Sequence, residues 1–322
     1  MANVSVIMGI YNCADTLPKA IDSLLAQTFT DWNLVMCDDG SRDATYEVAE
    51  RYRRTYPERI TLLKNEQNMG LNYTLNRCLS IADGAYIARQ DGDDVSMPTR
   101  FEKEAAILDA FPDIAIVSTA MTYFDENGAW EQSHPVLFPE NRDFIAGTPF
   151  CHAPCMVRRE AYQAVNGYTD DPRYLRVEDY DLWIKLYSAG FRGQNIPEPL
   201  YAMRDDRNAF ARRKFKYRIN EFRVRIKAAR LLHLPLNAYL YALRPLAVGL
   251  LPGPVIDRVK AALRAWFDGS LLGQDVLLAQ IGQKIFAVDG VANYQIQGPV
   301  NDVTVGRGQL PVLGKLSVEE LR

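Results

Sequence analysis

The sequence lacks two features that would point to a membrane-spanning or a nucleic-acid-binding protein. Residues 234–256 are apolar, but four prolines and Arg244 interrupt them. A spanning helix needs about 20 predominantly apolar residues, so we expect no span there. Positive charge is not in excess either, because 37 Lys and Arg stand against 40 Asp and Glu and give a formal net charge of -3. Since duplex binding usually needs a broadly basic face, nucleic acid is not an expected partner.

Cysteine is scarce, and the glycine motifs of two nucleotide-binding folds are missing. The five cysteines are scattered and odd in number, which indicates free thiols in a reducing compartment. The first residues show neither the basic region nor the cleavage site of a signal peptide, so we expect a cytoplasmic protein. The G-x-G-x-x-G motif of dehydrogenases does not follow the first predicted strand, where Gly9 is the one glycine, and no P-loop is present.

What the first 120 residues do contain is an alternation of apolar strands and amphipathic helices. The predicted strands are 4–10, 33–37, 60–63, 85–89 and 114–118, and helices begin near residues 16, 41, 71 and 98. This order predicts an α/β fold with a mostly parallel, Rossmann-like sheet and helices on both faces. Residues 121–205 are less regular, so we expect them to form a pocket wall and the acceptor half of the same domain.

The sequence after residue 205 changes character twice. Residues 211–230 carry nine Lys or Arg and one acid, and their apolar residues recur at helical spacing at Phe215, Ile219, Phe222 and Ile226. We therefore expect a basic amphipathic helix within a helical region, 206–267. This region either packs on the preceding domain or, over 211–256, contacts the inner face of a membrane in plane. Residues 268–322 read as a separate tail with a helix over 272–286, and the tail resembles the C-terminal end of phage baseplate assembly proteins.

Polar residues directly follow three of the predicted strands. Tyr11 and Asn12 follow the first, Asp38 and Asp39 the second, and the acidic cluster Asp91–Asp94 the fourth. Because ligands of open parallel sheets bind beyond the carboxyl ends of the strands, these residues are expected to share one site. The cluster has three carboxylates, which repel one another unless a cation lies between them. Oxygen ligands favour Mg²⁺ or Mn²⁺; taken alone, however, a solvated acidic turn explains the cluster equally well.

Four motifs that occur in order resemble those of family 2 glycosyltransferases of the GT-A fold. They are VSVIMGIYN at 4–12, CDDGSRDAT at 37–45, NMGLN at 68–72 and DGDD at 91–94. The resemblance covers residues 1–205, with the nucleotide-sugar half at 1–120. It implies that Asp39 binds the nucleotide base, usually uracil, with Tyr11 and Asn12 near the same nucleotide. It also implies that Asp91 and Asp93, with Asp94 beside them, hold Mn²⁺ or Mg²⁺ and the donor diphosphate.

The resemblance extends to a candidate base in the second half. The segment VEDYDLW at 177–183 looks like the family's E-D motif. It implies that Asp179 takes the proton of the acceptor hydroxyl, with Glu178 beside it and Asp181 as a substitute. A single in-line attack predicts inversion at the anomeric carbon. The competing explanation is an acidic helix start that complements the helix dipole.

Three further residues are expected in the site from the same resemblance. His152 is expected to line the acceptor pocket, Trp183 to stack on the acceptor or to belong to the core, and Arg204 to contact the diphosphate. The Q-x-x-R-W motif of processive synthases is absent, so one sugar per encounter is expected.

The leading hypothesis is therefore an inverting, metal-dependent transferase that moves a sugar from a nucleotide-sugar to a glycan or lipid-linked acceptor in surface polysaccharide synthesis. Two alternatives stay open. One is a sugar-nucleotidyl transferase, disfavoured by the E-D motif and by the lack of a glycine-rich N-terminal loop. The other is a phage-associated structural or interaction protein whose tail docks it to an assembly.

Overall fold

The computed structural model describes residues 3–205 and 215–246. The chain divides into two compact units, Met1–Arg213 with Arg223–Tyr239, and Lys214–Phe222 with Leu240–Arg322. The tail at 268–322 and its expected helix lie outside the described residues. Among the described helices, none has the length and apolar character that crossing a membrane requires.

The described elements follow one another in the α/β order expected from the sequence. The strands are β1 (Val4–Ile10), β2 (Trp32–Asp38), β3 (Ile60–Lys64), β4 (Tyr86–Arg89), β5 (Val95–Ser96), β6 (Ile114–Asp125), β7 (Gly128–Gln132), β8 (Met156–Arg158) and β9 (Arg192–Arg204). The α-helices are α1 (Leu17–Leu25), α2 (Thr45–Thr55), α3 (Leu71–Leu79), α4 (Arg100–Ala110), α5 (Arg159–Ala164), α6 (Glu178–Ser188), α7 (Phe215–Leu231) and α8 (Leu236–Tyr241). Short 3₁₀ helices cover Asn141–Ile145 and Pro172–Tyr174.

All nine described strands belong to one sheet, in the order β3-β2-β1-β4-β8-β6-β9-β5, with β7 paired to β6. The first four strands of the predicted fold pair in parallel, and β6 also runs parallel to β9. This confirms the predicted α/β class. The antiparallel strand β8 joins the two halves by pairing with β4 on one side and β6 on the other. The sequence did not indicate β8, because three residues are too few to show a strand periodicity.

Helices cover both faces of the sheet, and each face has its own hydrophobic core. Val6 and Met8 of β1 pack with α1 and α4 on one face, while Ile7 packs with α3 and α6 on the other. The alternation follows from the pleat, which points successive side chains to opposite sides. Burial on both faces explains why β1 reads as an apolar run in which Ser5 is the one hydrophilic residue. Each large apolar side chain buried in this way stabilises the fold by about 1.5–3 kcal/mol.

The basic helix predicted at 211–230 is observed as α7, but its buried side chains differ from the predicted apolar face. Phe215 is 45% exposed, whereas Val224 and Ala228 are fully buried in the core that α6 shares. The guanidinium of Arg225 donates to the carbonyl of Ile145 at 2.8 Å. Short side chains at 224 and 228 allow the helix backbone to approach its neighbours closely. The C-terminal part of α7 therefore packs on the domain, as one of the two expectations had it.

Candidate active site

The carboxyl ends of β1, β2 and β4 bring together the three polar segments that the sequence singled out. The backbone N–H of Asp39 donates to the carbonyl of Ile10 at 2.9 Å, which joins the end of β2 to the end of β1. The hydroxyl of Thr16 donates to the carbonyl of Gly92 at 3.0 Å, which joins the loop after β1 to the acidic cluster. These two contacts place the predicted residues at one edge of the sheet.

Asp39 is buried and holds the loop that contains the NMGLN motif. Its carboxylate accepts from the side-chain amide of Asn65 at 2.7 Å, from Met69 N at 2.8 Å and from Gly70 N at 2.9 Å. Gly70 has φ of 93°, a left-handed conformation that favours glycine. Two separate motifs of the sequence therefore form one structural unit. Sequence reasoning missed Asn65, which directly follows β3.

Tyr11 and Asn12 lie at the rim of this edge. Tyr11 is 43% exposed, so its ring is available to a ligand. Asn12 has φ of 48°, and its side-chain oxygen accepts from the backbone N–H of Arg42 at 2.9 Å. Its own N–H donates to the hydroxyl of Ser41 at 3.0 Å. The loops after β1 and β2 thus brace each other, and Asn tolerates this backbone better than most residues.

The three carboxylates of the acidic cluster have different surroundings. Asp93 is exposed, and Asp91 is partly exposed and paired with Arg89 at 2.7 Å. Although Asp93 reaches solvent, partial desolvation of its carboxyl by the surrounding protein, and next the charge of Asp91, raise its pKa. The charge of Arg204 opposes this rise.

Asp94, the third carboxylate of the cluster, is more deeply buried than Asp91 and Asp93. It is only 2% exposed, and its carboxylate accepts from the backbone N–H of Arg204 at 2.7 Å. Burial, followed by the charges of Asp91 and Asp93, raises the pKa of Asp94 to about 8. The buried carboxyl of Asp94 therefore fastens the end of β9 to the acidic cluster.

The remaining pair of carboxylates fits a divalent cation bound jointly by protein and substrate. Within residues 3–205 and 215–246 there is no group of three or more His, Cys, Asp or Glu side chains able to hold a metal ion. Asp91 and Asp93 supply oxygen donors only. Mg²⁺ is commonly held by one or two carboxylates together with substrate phosphates, and such a site forms fully only with the donor present.

The acidic cluster stands on a buried polar network that the sequence reasoning did not identify. Arg100 is fully buried, pairs with Glu104 at 3.2 Å and donates to the hydroxyl of Ser96 at 2.8 Å and to the carbonyl of Arg89 at 2.9 Å. The hydroxyl of Tyr201, on β9, accepts from the backbone N–H of Asp91 at 3.1 Å. The signal in the sequence was an Arg and a Glu four residues apart on the helix that follows the cluster.

Asp179 and Glu178 open α6, which begins at Glu178 itself. Burial and then the charge of Glu178 raise the pKa of Asp179 to about 6, while the N–H of Tyr180 donates to its carboxylate at 2.7 Å. One oxygen of Glu178 is buried without a hydrogen-bond partner among the described residues. A carboxylate with a pKa near 6 is ionised at neutral pH and is a stronger base than an ordinary Asp, which suits general-base work.

Asp181, the suggested substitute base, has a structural role instead. It is fully buried and accepts from the hydroxyl of Thr169 at 2.6 Å and from the ammonium of Lys227 at 2.5 Å. The ion pair ties α6 to α7. Both of its oxygens are therefore occupied, and no acceptor can reach them.

The two residues that were expected at the acceptor differ in how accessible they are. Trp183 is fully buried, with its ring 5.5 Å from Phe150 and 5.9 Å from His152, so it belongs to the core and cannot stack on a sugar. His152 is partly buried and shares a hydrogen bond of 2.8 Å with the hydroxyl of Tyr168. Burial and then the charge of Arg89 lower the pKa of His152 well below its usual value, so its ring is neutral at physiological pH.

Comparison with solved structures identifies the fold. S. aureus TarS 1-349 in complex with UDP-GlcNAc matches with a TM-score of 0.59 at 18% identity, over 77% of this chain and 71% of that one. The mannosyltransferase PcManGT from Pyrobaculum calidifontis, in complex with GDP-Man and Mn²⁺, matches with a TM-score of 0.58 at 20% identity, over 82% and 81%. At these identities the likeness defines the class of fold, which is GT-A.

Comparison of sequences goes further. The model of glycosyl transferase family 2 matches residues 5–165. EpsE of Bacillus subtilis (strain 168) is 45% identical over 255 residues, which are 79% of this chain and 92% of EpsE. The chain therefore belongs to glycosyl transferase family 2 and is a glycosyltransferase.

The tail also has a match of its own. The model of the Baseplate J-like protein C-terminal domain covers residues 246–319. The resemblance noted for the tail is thereby confirmed, and it begins 22 residues earlier than the boundary predicted at 268.

Proposed function

We propose that this enzyme transfers a sugar, with inversion, from a UDP-sugar to a hydroxyl of a glycan or lipid-linked acceptor in surface polysaccharide synthesis, with Mn²⁺ or Mg²⁺ as cofactor. The observation that carries the proposal is the arrangement of charges around Arg89. That guanidinium pairs with Asp91 and its charge also acts on Asp179, which supports a single site for the acidic pair and the candidate base.

Relatives support the choice of donor and acceptor. The name of WfaP from Escherichia coli, UDP-Glc:alpha-D-GlcNAc-diphosphoundecaprenol beta-1,3-glucosyltransferase, gives that protein a UDP-sugar donor and a lipid-linked acceptor. It is 27% identical over 200 residues, 61% of this chain and 74% of WfaP. TarS was solved with UDP-GlcNAc, whereas PcManGT was solved with GDP-Man and Mn²⁺. We propose a UDP-sugar, with Tyr11, Asn12 and Asp39 around the nucleotide.

In the proposed reaction each side chain has one task. Asp91 and Asp93 would hold the metal, which stabilises the negative charge of the leaving diphosphate when it is bound. Arg204, whose charge acts on Asp93, would contact the same diphosphate. Asp179 removes the proton of the acceptor hydroxyl as that oxygen attacks the anomeric carbon from the face opposite the diphosphate, which inverts the configuration.

Glu178 and His152 complete the acceptor side. Glu178 keeps the pKa of its neighbour Asp179 raised, because two adjacent negative charges repel. His152 is neutral, so it offers a hydrogen bond to an acceptor hydroxyl without competing for its proton.

Calorimetry with UDP, GDP and their sugars, with Mn²⁺ and with EDTA, tests the donor site. We expect Mn²⁺-dependent binding of a uridine nucleotide that Asp93→Asn abolishes. Glu58→Gln, an exposed carboxylate before β3, is the matched control and should bind as the wild type does. Proton NMR of the product tests inversion. The absence of nucleotide binding under every condition would refute the proposal.

A second candidate role rests on the tail. The match with EpsE covers 79% of this chain, and a second family model, the Baseplate J-like protein C-terminal domain, matches residues 246–319. We propose that this second domain has an attachment function beside the transferase. A chain truncated after residue 245 should keep its transferase activity in this case.

Flotation with anionic and with neutral vesicles tests the further proposal that residues 211–256 hold the enzyme at the inner membrane face. Binding to anionic vesicles alone is the expected result.

A further inference from the structure

Arg89 is a buried cation with an incomplete set of partners. Its side chain is 5% exposed, and one terminal nitrogen donates to the carboxylate of Asp91 at 2.7 Å. Its Nε is buried and has no hydrogen-bond partner among the described residues. Burying a guanidinium is costly unless its donors are well paired. Packing alone therefore does not explain why Arg89 is buried next to the candidate metal ligand Asp91.

The backbone fixes this cation between the donor and acceptor sides. The N–H of Arg89 donates to the carbonyl of Cys155 at 2.9 Å, and the N–H of Cys155 donates to the carbonyl of His152 at 3.2 Å. One turn of chain therefore separates Arg89 from the histidine on the acceptor side. On the donor side its side chain reaches Asp91, two residues further along the chain.

We propose that Arg89 is the positioning residue of this active site: it fixes the carboxylate of Asp91 and supplies the positive charge that His152 and Asp179 face. The inference rests on the function proposed above. It adds to that function a residue that acts through the proposed metal ligand Asp91, with which Arg89 pairs.

The charge has opposite consequences for its two targets on the acceptor side. Asp179 faces Glu178 on its own helix, Arg89 on β4 and the thiol of Cys151, while the N–H of Tyr180 bonds to it. Glu178 disfavours the ionised base and Arg89 favours it, so the cation limits how far burial raises the pKa of Asp179.

For His152 the same charge disfavours the protonated ring. Its neighbours are Arg89, the hydroxyl of Tyr168 and the buried ring of Trp183. The cation therefore adds to the effect of burial in favouring neutral His152, and it favours ionised Asp179 against the effect of burial. Both are the forms that the proposed reaction requires.

Two variants separate charge from shape. Arg89→Met removes the charge and keeps an unbranched side chain, and Arg89→Lys keeps the charge. The first readout is the imidazole titration by NMR, in which His134 and His233 serve as internal references among the three histidines. We expect Arg89→Met to raise the pKa of His152 alone by about half a unit or more, and Arg89→Lys to leave it near the wild-type value.

The second readout is the pH profile of kcat/KM at saturating Mn²⁺. Because loss of the cation raises the pKa of Asp179, the acid limb of Arg89→Met should move to higher pH by about half a unit or more. The limb of Arg89→Lys should stay in place even if its rate falls. The shape of the profile does not depend on the fraction of enzyme that is folded, and Arg89→Gln replaces the Met variant if that variant does not fold.

The outcomes distinguish this inference from the proposed function. Unchanged titration of His152 in the neutral variants overturns the role of Arg89, whatever the activity. An equal shift in Arg89→Lys and Arg89→Met also overturns it, because shape rather than charge would be responsible. Absence of transferase activity in the wild type, with His152 shifted as expected, refutes the proposed reaction and leaves the electrostatic role of Arg89 intact.

Discussion

Gly92, in the middle of the acidic cluster, is expected to be intolerant of any side chain. A Cβ added there would lie 2.9 Å from the sulfur of Cys13 and 3.3 Å from a methyl of Ile10. The first distance is shorter than real Cβ contacts allow, so either Cys13 or the loop must move. Overpacking of this kind costs about 1–3 kcal/mol. We therefore expect Gly92→Ala to lower the free energy of unfolding by that amount, measured by urea denaturation.

A partner variant tests whether Cys13 is the cause. In Gly92→Ala/Cys13→Ala the sulfur is gone, and the 3.3 Å contact with Ile10 is the tightest that remains. The double variant should therefore lose less stability than the sum of the two single variants, by about 1 kcal/mol or more. Gly147→Ala is the matched control, because a Cβ there meets nothing within 4 Å.

The same substitution has a functional consequence, since a displaced loop moves Asp91 and Asp93 relative to each other. Mn²⁺-dependent nucleotide binding should weaken in Gly92→Ala and recover in the double variant. If the loss of stability in Gly92→Ala/Cys13→Ala equals the sum of the losses in Gly92→Ala and Cys13→Ala, the steric reasoning is refuted. Full binding in Gly92→Ala would show that the acidic pair does not depend on this close packing.

Four further outcomes follow from the site. Asp179→Asn should lower kcat by about 10²–10⁴-fold with nucleotide binding unchanged, and wild-type kcat/KM should rise with pH through about 6, as stopped-assay kinetics can show. The pKa of Asp94 is raised to about 8 in the folded protein, so folding is destabilised as pH rises from the pKa of Asp94 in the unfolded chain towards 8. Between pH 6 and pH 9 the free energy of unfolding, measured in urea, should therefore fall less in Asp94→Asn than in the wild type. Asp181→Ala should cost about 3–5 kcal/mol by leaving Lys227 unpaired, while its effect on the acid limb is nil. Trp183→Phe should reduce the melting temperature but keep the acceptor KM, since the ring never meets solvent.

The sequence predicted the nucleotide half of the fold well because that half repeats a simple rule. The predicted strand at 4–10 has the observed bounds of β1, and the next three strands differ by one residue or fewer at each end. Helix starts were less accurate. The helix expected from Ser41 begins at Thr45, because the carboxylate of Asp43 accepts from the N–H and hydroxyl of Thr45 and holds the chain in a turn. Local side-chain bonds of this kind compete with the helix and cannot be read from apolar spacing.

The second half was harder to predict because its order depends on contacts between distant residues. Residues 121–205 were expected to be irregular, yet β9 runs over 13 residues and pairs with β6 in the same sheet. Register shifts between these strands at Ile114, Thr119 and Ala120 break the alternation that would have revealed them. Residue types were recognised, but whether a carboxylate is free or occupied depends on partners such as Lys227, 46 residues from Asp181.

Asp94 shows why the acidic cluster needs three carboxylates when a joint metal site needs only two. The two-residue strand β5 directly follows Asp94 and pairs with β9, with Val95 opposite Ala202. Asp94 extends this pairing by accepting from the N–H of Arg204, so the end of β9 is fastened to the acidic cluster by its own side chain. The charge of Arg204 thereby acts on Asp93, although 111 positions of sequence separate them. The third carboxylate accordingly contributes to the proposed diphosphate site by placing a cation, and Asp94→Asn, which keeps an acceptor oxygen, should retain nucleotide binding that Asp94→Ala loses.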